Sequence, residues 1–342
     1  MARLLSSWQL GRWFARRLRA ELAGAVPQRV LGELPPPPGR YGLPEPGRAQ
    51  AAAQRPALFI TARFRSGSTF FWQLFDAIDG VTAYYEPLNP RRWHRSDSSG
   101  AVHDPTHRGV TDYRRNYDGL DHLDRFFHDD WSRHRLVMDA AAEDRDLERF
   151  ISGLVEAAPA GRLPVLQFNR VDFRLPWLKS RFPAARIVHL LRHPRDNFLS
   201  SIDPAAVTPA TRLADFAPHD RFLLREWAMD LTLFFPVLAV EEDAHPYLLF
   251  YLIWRLSQAA GRAHADLAVT YEDLCADPVP ELRKALALVG RELPAGAEER
   301  LRALASGPRP PRWPDYADAD WFAAIEAEAE RRLARQFEAH PG

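Results

Sequence analysis

The most informative segment of the sequence is ALFITARFRSGST, residues 57–69. Residues 57–62 form a short apolar run typical of a buried strand, and residues 69–78 carry Phe, Leu and Ile at helical spacing, with a polar, glycine-containing loop between them. Further apolar runs, each followed by a polar or proline-containing turn and a helical pattern, occupy residues 163–168, 186–191 and 267–270. This alternation predicts an α/β fold with a parallel β-sheet flanked by helices.

The loop after the first predicted strand has the composition of an anion site. A helix that begins just after a buried strand directs unpaired backbone N–H groups toward the end of that strand. Gly67 permits close approach of an anion, the Ser and Thr hydroxyls can donate hydrogen bonds, and Arg65 supplies a permanent cation. The loop lacks the Gly-Lys-Ser/Thr ending of ATPase loops, which disfavours ATP or GTP. The alternative is a plain turn and helix cap.

A second motif, RHPRDNFLS (residues 192–200), follows the predicted strand 186–191. Pro194 suits a first helical turn and Asp196 suits its positive end, so the helix should begin between them and carry Ser200 in its second turn. Arg192 at the strand tip and Ser200 can then converge on one phosphate. The alternative is an Arg in a surface ion pair and a Ser that only fills the helix.

The two motifs together resemble those of the PAPS-dependent sulfotransferases, especially the carbohydrate-type and bacterial members (PAPS is 3′-phosphoadenosine 5′-phosphosulfate). The segment VTYEDLCADP, residues 269–278, is also similar to a structural segment of that family, and the likeness spans about residues 57–310. It implies a three-layer fold like that of P-loop NTPases, with PAPS as co-substrate and 3′,5′-ADP as product.

The resemblance also implies roles for individual residues. It assigns Arg65, Ser66, Gly67, Ser68 and Thr69 to the 5′-phosphosulfate, and Arg192 and Ser200 to the 3′-phosphate. Cytosolic members close the 3′-phosphate site with an Arg-Lys-Gly loop, where this chain has only Ser-Gly-Pro-Arg-Pro-Pro-Arg, residues 306–312. Arg309 is the candidate substitute, and a solvated loop arginine is the alternative.

Sulfuryl transfer requires cations at the oxygens that gain charge and a base near the accepting hydroxyl. Arg65 can stabilise the negative charge that develops on those oxygens, but an arginine does not lose its proton in a protein and so cannot be the base. Glu86 in YYEPLNP is the candidate base, because this segment resembles the family's Glu-Pro turn. Alternatively, Glu86 pairs with Arg63 or Arg65 and only orients the loop. The runner-up bases are His94, His103 and His107.

Arg170 follows the predicted strand 163–168, where the family often has a basic residue facing the transferred group. We expect either that role or a surface ion pair. The histidines show no spacing with Cys or carboxylate partners that would form a metal site, so no metal is expected.

Bulk composition limits the other function classes. The charges balance, with 45 Lys and Arg against 45 Asp and Glu, so nucleic-acid binding is not expected. The single cysteine, Cys275, fits a reducing compartment, and no apolar stretch approaches the ~20 residues of a spanning helix. No signal peptide is recognisable. We therefore expect a cytoplasmic protein, and the Pro, Ala and Arg bias suggests a bacterial source.

The chain divides into segments of different character. Residues 1–34 contain a basic amphipathic helix over 3–23, which packs on the domain or a partner subunit, or attaches to a membrane surface. A Pro/Gly/Ala-rich extended linker is expected at 35–56, and the sulfotransferase-like domain at 57–310, with an irregular insertion at 91–145. A helical tail, 311–342, is a candidate for self-association into a homo-oligomer.

The function predicted from these observations is transfer of a sulfuryl group from PAPS to a hydroxyl on a carbohydrate, glycolipid or other small metabolite. Two alternatives stay open: an ATP-dependent small-molecule kinase, and a noncatalytic nucleotide-binding scaffold. The insertion, with its Trp, Tyr, Arg and His residues, is the expected acceptor-binding segment, but composition does not select the acceptor.

Overall fold

The structure is a computed structural model that describes residues 48–102, 104, 106–305, 307 and 310–339. The predicted helix at 3–23 and residues 35–47 of the predicted linker lie outside the described residues, as do His103 and Arg309.

A five-stranded sheet forms the centre of the fold, with the order β2-β3-β1-β4-β5 and parallel pairing throughout. The strands are β1 (Ala57–Ala62), β2 (Val81–Tyr85), β3 (Leu163–Phe168), β4 (Ala185–Leu191) and β5 (Leu267–Thr270). Every residue of β1, β2 and β3 is buried, as expected for parallel strands that are covered on both faces. The predicted α/β fold with a parallel sheet flanked by helices is confirmed.

Helices follow the strands and cover the sheet. In chain order, the α-helices of the described residues are α1 (Arg48–Gln54), α2 (Ser68–Asp76), α3 (Arg145–Ala157), α4 (Leu175–Arg181), α5 (Pro194–Ser201), α6 (Leu224–Leu231), α7 (Pro246–His264), α8 (Tyr271–Ala276), α9 (Pro278–Ala287), α10 (Ala297–Leu304) and α11 (Ala319–Ala339). Helix α5 begins at Pro194 and has Ser200 in its second turn, as the sequence predicts.

The strand order explains how distant motifs meet. β1 lies between β3 and β4, so the carboxyl ends of these three strands are neighbours, and the end of β2 lies beside that of β3. In parallel α/β sheets, ligands bind at the carboxyl ends of the strands, where the chain order changes direction. The loop after β1, Glu86 after β2, Arg170 after β3 and Arg192 after β4 therefore all lie at one edge of the sheet.

The structure differs from the prediction at the end of the expected linker. Residues 48–54 form helix α1 instead of extended chain, and Ala52 is buried in the core. The sequence RAQAAAQ has high helix propensity because alanine loses no side-chain entropy in a helix. The folded region thus begins before Pro56.

Helix α11 packs against α7 within the chain, burying Phe322, Ala329 and Leu333. Glu326 of α11 receives two hydrogen bonds of 2.8 Å from Arg195 of α5. The tail is thereby attached to the helix that carries Ser200. Its role in self-association stays a prediction.

The insertion at 91–145 is largely irregular, as predicted, with short 3₁₀ turns at Asp121–Phe126 and Asp129–Ser132. Several of its aromatic residues are buried in the core instead of facing an open cleft: Trp93, Tyr113, Tyr117 and Trp131 are each at most 5% exposed. These rings stabilise the insertion against the sheet and α3.

Candidate functional site

The loop between β1 and α2 has a backbone shape that requires glycine. Gly67 is the N-cap of α2 with φ of 92°, and a Cβ at this position would overlap the Tyr271 ring. The first bond of the helix runs from Phe71 N–H to Gly67 C=O, so Ser68 and Thr69 lie in the first turn, where N–H groups lack intrahelical partners. The turn is therefore shaped to present backbone donors to an anion.

Arg65 lies in this loop with φ of 65°, a left-handed conformation that is costly for a residue with a side chain and is concentrated at functional sites. Its Nε donates to Ser200 C=O at 3.0 Å, and its Nη1 lies 2.6 Å from an Asp104 carboxylate oxygen. Nη2 donates to the Thr106 hydroxyl at 3.1 Å. The predicted cation is thus present at the loop and is held by α5 on one side and by the insertion on the other.

The hydroxyl groups of the loop are not equivalent. The Ser66 hydroxyl donates to Arg63 C=O at 2.7 Å and closes the turn. The Thr69 hydroxyl lies 3.0 Å from the Tyr85 hydroxyl and 3.2 Å from His107 Nε2. Ser66 therefore stabilises the shape of the loop, whereas Thr69 connects it to β2 and the insertion.

Arg192 and Ser200 meet as the spacing of the second motif predicts. Arg192 Nη1 donates to the Ser200 hydroxyl at 2.8 Å and to Arg65 C=O at 2.9 Å, and the guanidinium lies 4.7 Å from the centre of the Tyr271 ring. The Nε of Arg192 has no hydrogen-bond partner among the described residues. Burial lowers the pKa of Arg192, because a desolvated cation is unfavourable without an anion.

Two further polar residues of helix α5, Asn197 and Asp196, attach it to neighbouring loops. Asn197 Nδ2 donates to Phe64 C=O at 2.8 Å, and the Asp196 carboxylate accepts from the backbone N–H of Arg312 at 2.8 Å. The second contact brings the chain segment that follows the predicted Arg309 position to the start of α5. The role of Arg309 itself stays a prediction.

Glu86 follows β2 directly and is 7% exposed, with φ of 39°. One carboxylate oxygen accepts from Asn169 Nδ2 at 2.5 Å, and the other accepts from Asn89 Nδ2 at 2.6 Å and from Arg170 Nη1 at 3.0 Å. Its ion-pair partner is Arg170, so the alternative in which Arg63 or Arg65 pairs with Glu86 is wrong. These three side chains fix the position of the carboxylate. The positive φ of the Glu86 backbone is a strained conformation that the surrounding packing stabilises.

Arg170 is 7% exposed, and its guanidinium lies 4.9 Å from the centre of the Phe64 ring. In the part of the chain that the structure describes, its Nε lacks a hydrogen-bond partner. It is therefore not in a surface ion pair, the alternative that the sequence left open. It is a buried cation between Glu86 and the loop after β1.

Arg63 and Asp172 form a second charged pair below the loop, which the sequence analysis did not identify. Arg63 Nη1 lies 3.7 Å from an Asp172 oxygen, and the Arg63 guanidinium lies 4.5 Å from the centre of the Trp227 ring. Asp172 also accepts from the hydroxyls of Thr61 at 2.5 Å and Ser257 at 2.8 Å. This pair connects the ends of β1 and β3 to α7.

The model of the Sulfotransferase family matches residues 56–234, slightly more than half of the 342 residues. This chain belongs to the sulfotransferase family. The match covers the loop after β1, Glu86, Arg170, Arg192 and Ser200, and it confirms the family predicted from the two motifs.

Two solved structures that are similar to this sulfotransferase share little sequence identity with it. Sulfotransferase STF9 from Mycobacterium avium is 16% identical, with coverage of 82% of this chain and 77% of that chain and a TM-score of 0.42. The sulfotransferase domain of the Synechococcus PCC 7002 olefin synthase is 18% identical, with coverage of 82% and 94% and a TM-score of 0.37. No curated protein is significantly similar in sequence.

Of the runner-up bases, the structure of this sulfotransferase describes His94 and His107, and their surroundings differ. His94 is fully buried between Phe127 and Phe150 and bonds Asp124 at 3.0 Å, so it is a structural residue of the insertion. His107 lies at the start of α2, with Nε2 3.2 Å from the Thr69 hydroxyl and Nδ1 2.5 Å from the Tyr113 hydroxyl. Burial lowers the pKa of His107.

No group of three or more His, Cys, Asp or Glu residues in the described ranges is arranged to hold a metal ion. Of the helices that the structure describes, none is both long enough and apolar enough to span a membrane.

The sequence analysis missed the residues that hold the predicted ones in place. Asn169 and Asn89 bind Glu86, Asp104 binds Arg65, and Tyr271 packs on both Gly67 and Arg192. Asn169 adjoins Arg170 and could have been found from the strand-end position that identified Arg170. Nothing in the local sequence around Asp104 or Tyr271 indicates their contacts.

Proposed function

We propose that this sulfotransferase transfers a sulfuryl group from PAPS to a hydroxyl of a carbohydrate, glycolipid or other small metabolite. The observation that carries the proposal is the Arg192–Ser200 pair, which lies against the backbone of the loop after β1. The Arg192 side chain donates only to neutral oxygens among its described hydrogen bonds, and its Nε is available. A desolvated arginine with neutral partners favours a phosphate, and the 3′-phosphate distinguishes PAPS from ATP.

The residues present also fit the other end of the donor. Gly67, the N-cap of α2, has no side chain that caps the helix, and the backbone donors of the first turn point to the end of β1. Arg65 stabilises the negative charge that develops on the departing 5′-phosphate. Its present contact with Asp104 must be exchanged for that phosphate.

Glu86 is the proposed general base. It accepts the proton of the acceptor hydroxyl while the bond from that oxygen to sulfur forms and the bond from sulfur to the 5′-phosphate oxygen breaks, which releases 3′,5′-ADP. Asn169 and Asn89 orient the carboxylate. Arg170 lies beside Glu86, where it stabilises charge on the transferring group.

Calorimetric titration with 3′,5′-ADP, beside 5′-AMP and ATP, tests the donor assignment. We expect tight binding of 3′,5′-ADP alone, weakened on the order of 100-fold by Arg192→Ala through loss of charge-assisted hydrogen bonds. Arg283→Ala is the matched control, because Arg283 forms an exposed ion pair with Glu298 on α10. Equal binding of all three nucleotides, or none, would rule out the PAPS proposal.

A further inference from the structure

Gln167 is a polar residue at a core position of the central sheet. In the parallel pairing of β3 it lies opposite Ile60 of β1 on one side and Tyr85 of β2 on the other. The residue is 0% exposed, and among the described residues its Oε1 atom has no hydrogen-bond partner. A buried acceptor without a donor costs free energy that an apolar residue of the same size would not. The presence of an amide here therefore requires an explanation from its other polar atom, Nε2.

The Nε2 atom of Gln167 begins a chain of hydrogen bonds that ends at the proposed base. Gln167 Nε2 donates to Asn169 Oδ1 at 2.8 Å, and Asn169 Nδ2 donates to a Glu86 carboxylate oxygen at 2.5 Å. Residues two apart along an extended chain project to the same face, which brings the two amides together at the end of β3. Asn169 is 3% exposed, so water has little access to these bonds. We call Gln167, Asn169 and Glu86 the amide relay.

The chemistry of the three groups fixes the direction of both hydrogen bonds. An ionised carboxylate only accepts, so Asn169 directs its NH2 group at Glu86 and its oxygen at Gln167. That oxygen requires a donor, so Gln167 directs Nε2 at it and its own Oε1 away from it. If either amide turned over, two acceptor atoms would face each other. The unpaired oxygen of Gln167 is thus a consequence of the direction of the relay.

Three side chains donate to Glu86, and they differ in what holds them. The guanidinium of Arg170 carries only donor atoms, so no orientation of it presents an acceptor to the carboxylate. The oxygen of Asn89 accepts a backbone N–H at 3.0 Å, which holds that amide in place. The oxygen of Asn169 is instead held by the side chain of Gln167. Loss of this one side chain would free the Asn169 amide to turn its oxygen toward the carboxylate and repel it.

We propose that Gln167 is a positioning residue for sulfuryl transfer: it holds the Asn169 amide so that the NH2 group faces Glu86, and thereby keeps the carboxylate aimed at the acceptor hydroxyl. This inference rests on the proposed function and extends it, because Gln167 acts on the base through Asn169 and not by contact with either substrate. The position of a base matters strongly, since a displacement of ~1 Å can cost on the order of 100-fold in rate.

Gln167→Met tests the relay, because methionine has a similar length but no N–H donor. The substitution removes the unpaired Oε1 of Gln167 and leaves Asn169 Oδ1 without its donor, so the number of unpaired buried oxygens in the relay stays the same. The unfolding equilibrium constant should therefore change by less than about threefold. We expect kcat to fall about tenfold, because the lost hydrogen bond restrains a donor to a charged group, while KM and the affinity for 3′,5′-ADP stay unchanged.

Turnover is measured with PAPS as donor and octyl β-D-glucoside as acceptor probe, a compound that carries both a sugar and a lipid chain. Ser152→Ala is the matched control, because Ser152 on α3 is 4% exposed and its hydroxyl has no hydrogen-bond partner in the described part of the chain. In this control kcat should not change. An unchanged kcat in Gln167→Met, or a fall in kcat that accompanies an equal loss of nucleotide affinity, would overturn the proposal.

The double variant Glu86→Gln/Gln167→Met tests whether Gln167 acts through the base. If it does, the double variant should turn over as slowly as Glu86→Gln and no more slowly, because the relay then has no carboxylate to position. A further loss of about tenfold in the double variant would show that Gln167 acts elsewhere, and the proposal would be wrong.

Hydrogen exchange of the Asn169 side-chain amide separates failure of the relay from failure of the proposed function, because it requires no turnover. The chain has four asparagines, so ¹⁵N-asparagine labelling gives four side-chain amide signals, and Asn169→Ser identifies one of them by its loss. Exchange at Asn169 should be about tenfold faster in Gln167→Met. Asn197 is the internal control, because its Nδ2 donates to Phe64 C=O at 2.8 Å outside the relay and its exchange should not change.

The exchange rates and the nucleotide titration together distinguish the two failures. Unchanged exchange at Asn169 in Gln167→Met would overturn the relay, whether or not the probe is sulfated, and tight binding of 3′,5′-ADP would then still support the proposed function. Faster exchange at Asn169 in a protein that binds no 3′,5′-ADP and forms no sulfate ester would refute the proposed function and leave the amide relay as a structural feature only.

Discussion

The proposed donor side of the site, at the ends of β1 and β4, and the proposed acceptor side, at the ends of β2 and β3, are built differently. On the donor side, the loop after β1 and the motif after β4 come from adjacent strands and contact each other largely through backbone groups: Arg192 donates to Arg65 C=O, Asn197 to Phe64 C=O, and Arg65 to Ser200 C=O. Backbone acceptors are present whatever the neighbouring side chains are. The donor side therefore depends on short contiguous motifs.

The acceptor side depends on side chains that are distant in sequence. Glu86 after β2 is held by Asn169 and Arg170 after β3, and Arg63 is balanced by Asp172. Each of these contacts needs two specific side chains at the ends of different strands. This side can change its specificity by single substitutions while the donor side is retained.

Glu86→Gln, a substitution on the acceptor side, should have the largest effect on activity. We expect turnover to fall about 10²–10⁴-fold, the range for loss of a general base, while the affinity for 3′,5′-ADP stays unchanged. Glu143→Gln, at an exposed position of the insertion, is the control. Steady-state kinetics and calorimetry on both variants make the measurement. Near-normal turnover in Glu86→Gln would show that Glu86 is not the base.

Gly67→Ala tests the donor side by adding a single methyl group where the backbone lies against the Tyr271 ring. Gly80 has a similar φ of 81° but nothing within 4 Å of its missing Cβ, whereas at Gly67 a Cβ would overlap Tyr271. Gly80→Ala should cost roughly 1 kcal/mol of unfolding free energy from strain. Gly67→Ala should cost about 1–3 kcal/mol more from overpacking, and weaken 3′,5′-ADP about 10- to 100-fold. Equal effects of the two substitutions, measured by denaturant unfolding and calorimetry, would show that close packing at Gly67 is unimportant.

The same contrast explains what the sequence could and could not predict. The bounds of β1, β3 and β5, the start of α5 and the meeting of Arg192 with Ser200 follow from apolar runs, proline position and parallel-sheet geometry. The identity of the residue that pairs with Glu86 does not follow, because pairing across β2 and β3 depends on register. The sequence offered Arg63 and Arg65 as partners of Glu86, whereas the partner in the structure is Arg170.

The insertion is the part where local sequence is least informative. Its aromatic residues were expected to contact an acceptor, yet Trp93, Tyr113 and Trp131 fill the core. Composition alone does not distinguish buried rings from ligand-binding rings when no helix or strand period is present.

Asp104→Asn tests how far the insertion affects the donor side. Burial alone would raise the pKa of Asp104, but hydrogen bonds from Thr106 and the charge of Arg65 outweigh it and lower the pKa to about 2. The carboxylate is therefore charged at neutral pH and competes with a donor phosphate for Arg65. We expect Asp104→Asn to tighten 3′,5′-ADP binding by about two- to tenfold.

Asp97→Asn is the control for Asp104→Asn, because it breaks an exposed ion pair with Arg95 in the same insertion. Calorimetry on the two variants measures the difference. Weaker nucleotide binding in Asp104→Asn would mean that Asp104 positions Arg65 for the phosphate instead of competing with it.

His107→Gln should have the smallest effect. Both ring nitrogens of His107 lie within hydrogen-bond distance of neutral hydroxyls, those of Thr69 and Tyr113, and burial lowers its pKa, so the neutral ring predominates at neutral pH. Because a lowered pKa moves the titration toward acid, neither the wild type nor the variant should show a His107 transition between about pH 7 and 8. Thr69 keeps its contact with Tyr85, so kcat/KM should fall only about two- to threefold, as for loss of one neutral hydrogen bond. A loss in His107→Gln as large as that in Glu86→Gln, with the acid limb of the pH profile altered, would transfer the role of base to His107 and place proton removal beside the loop after β1.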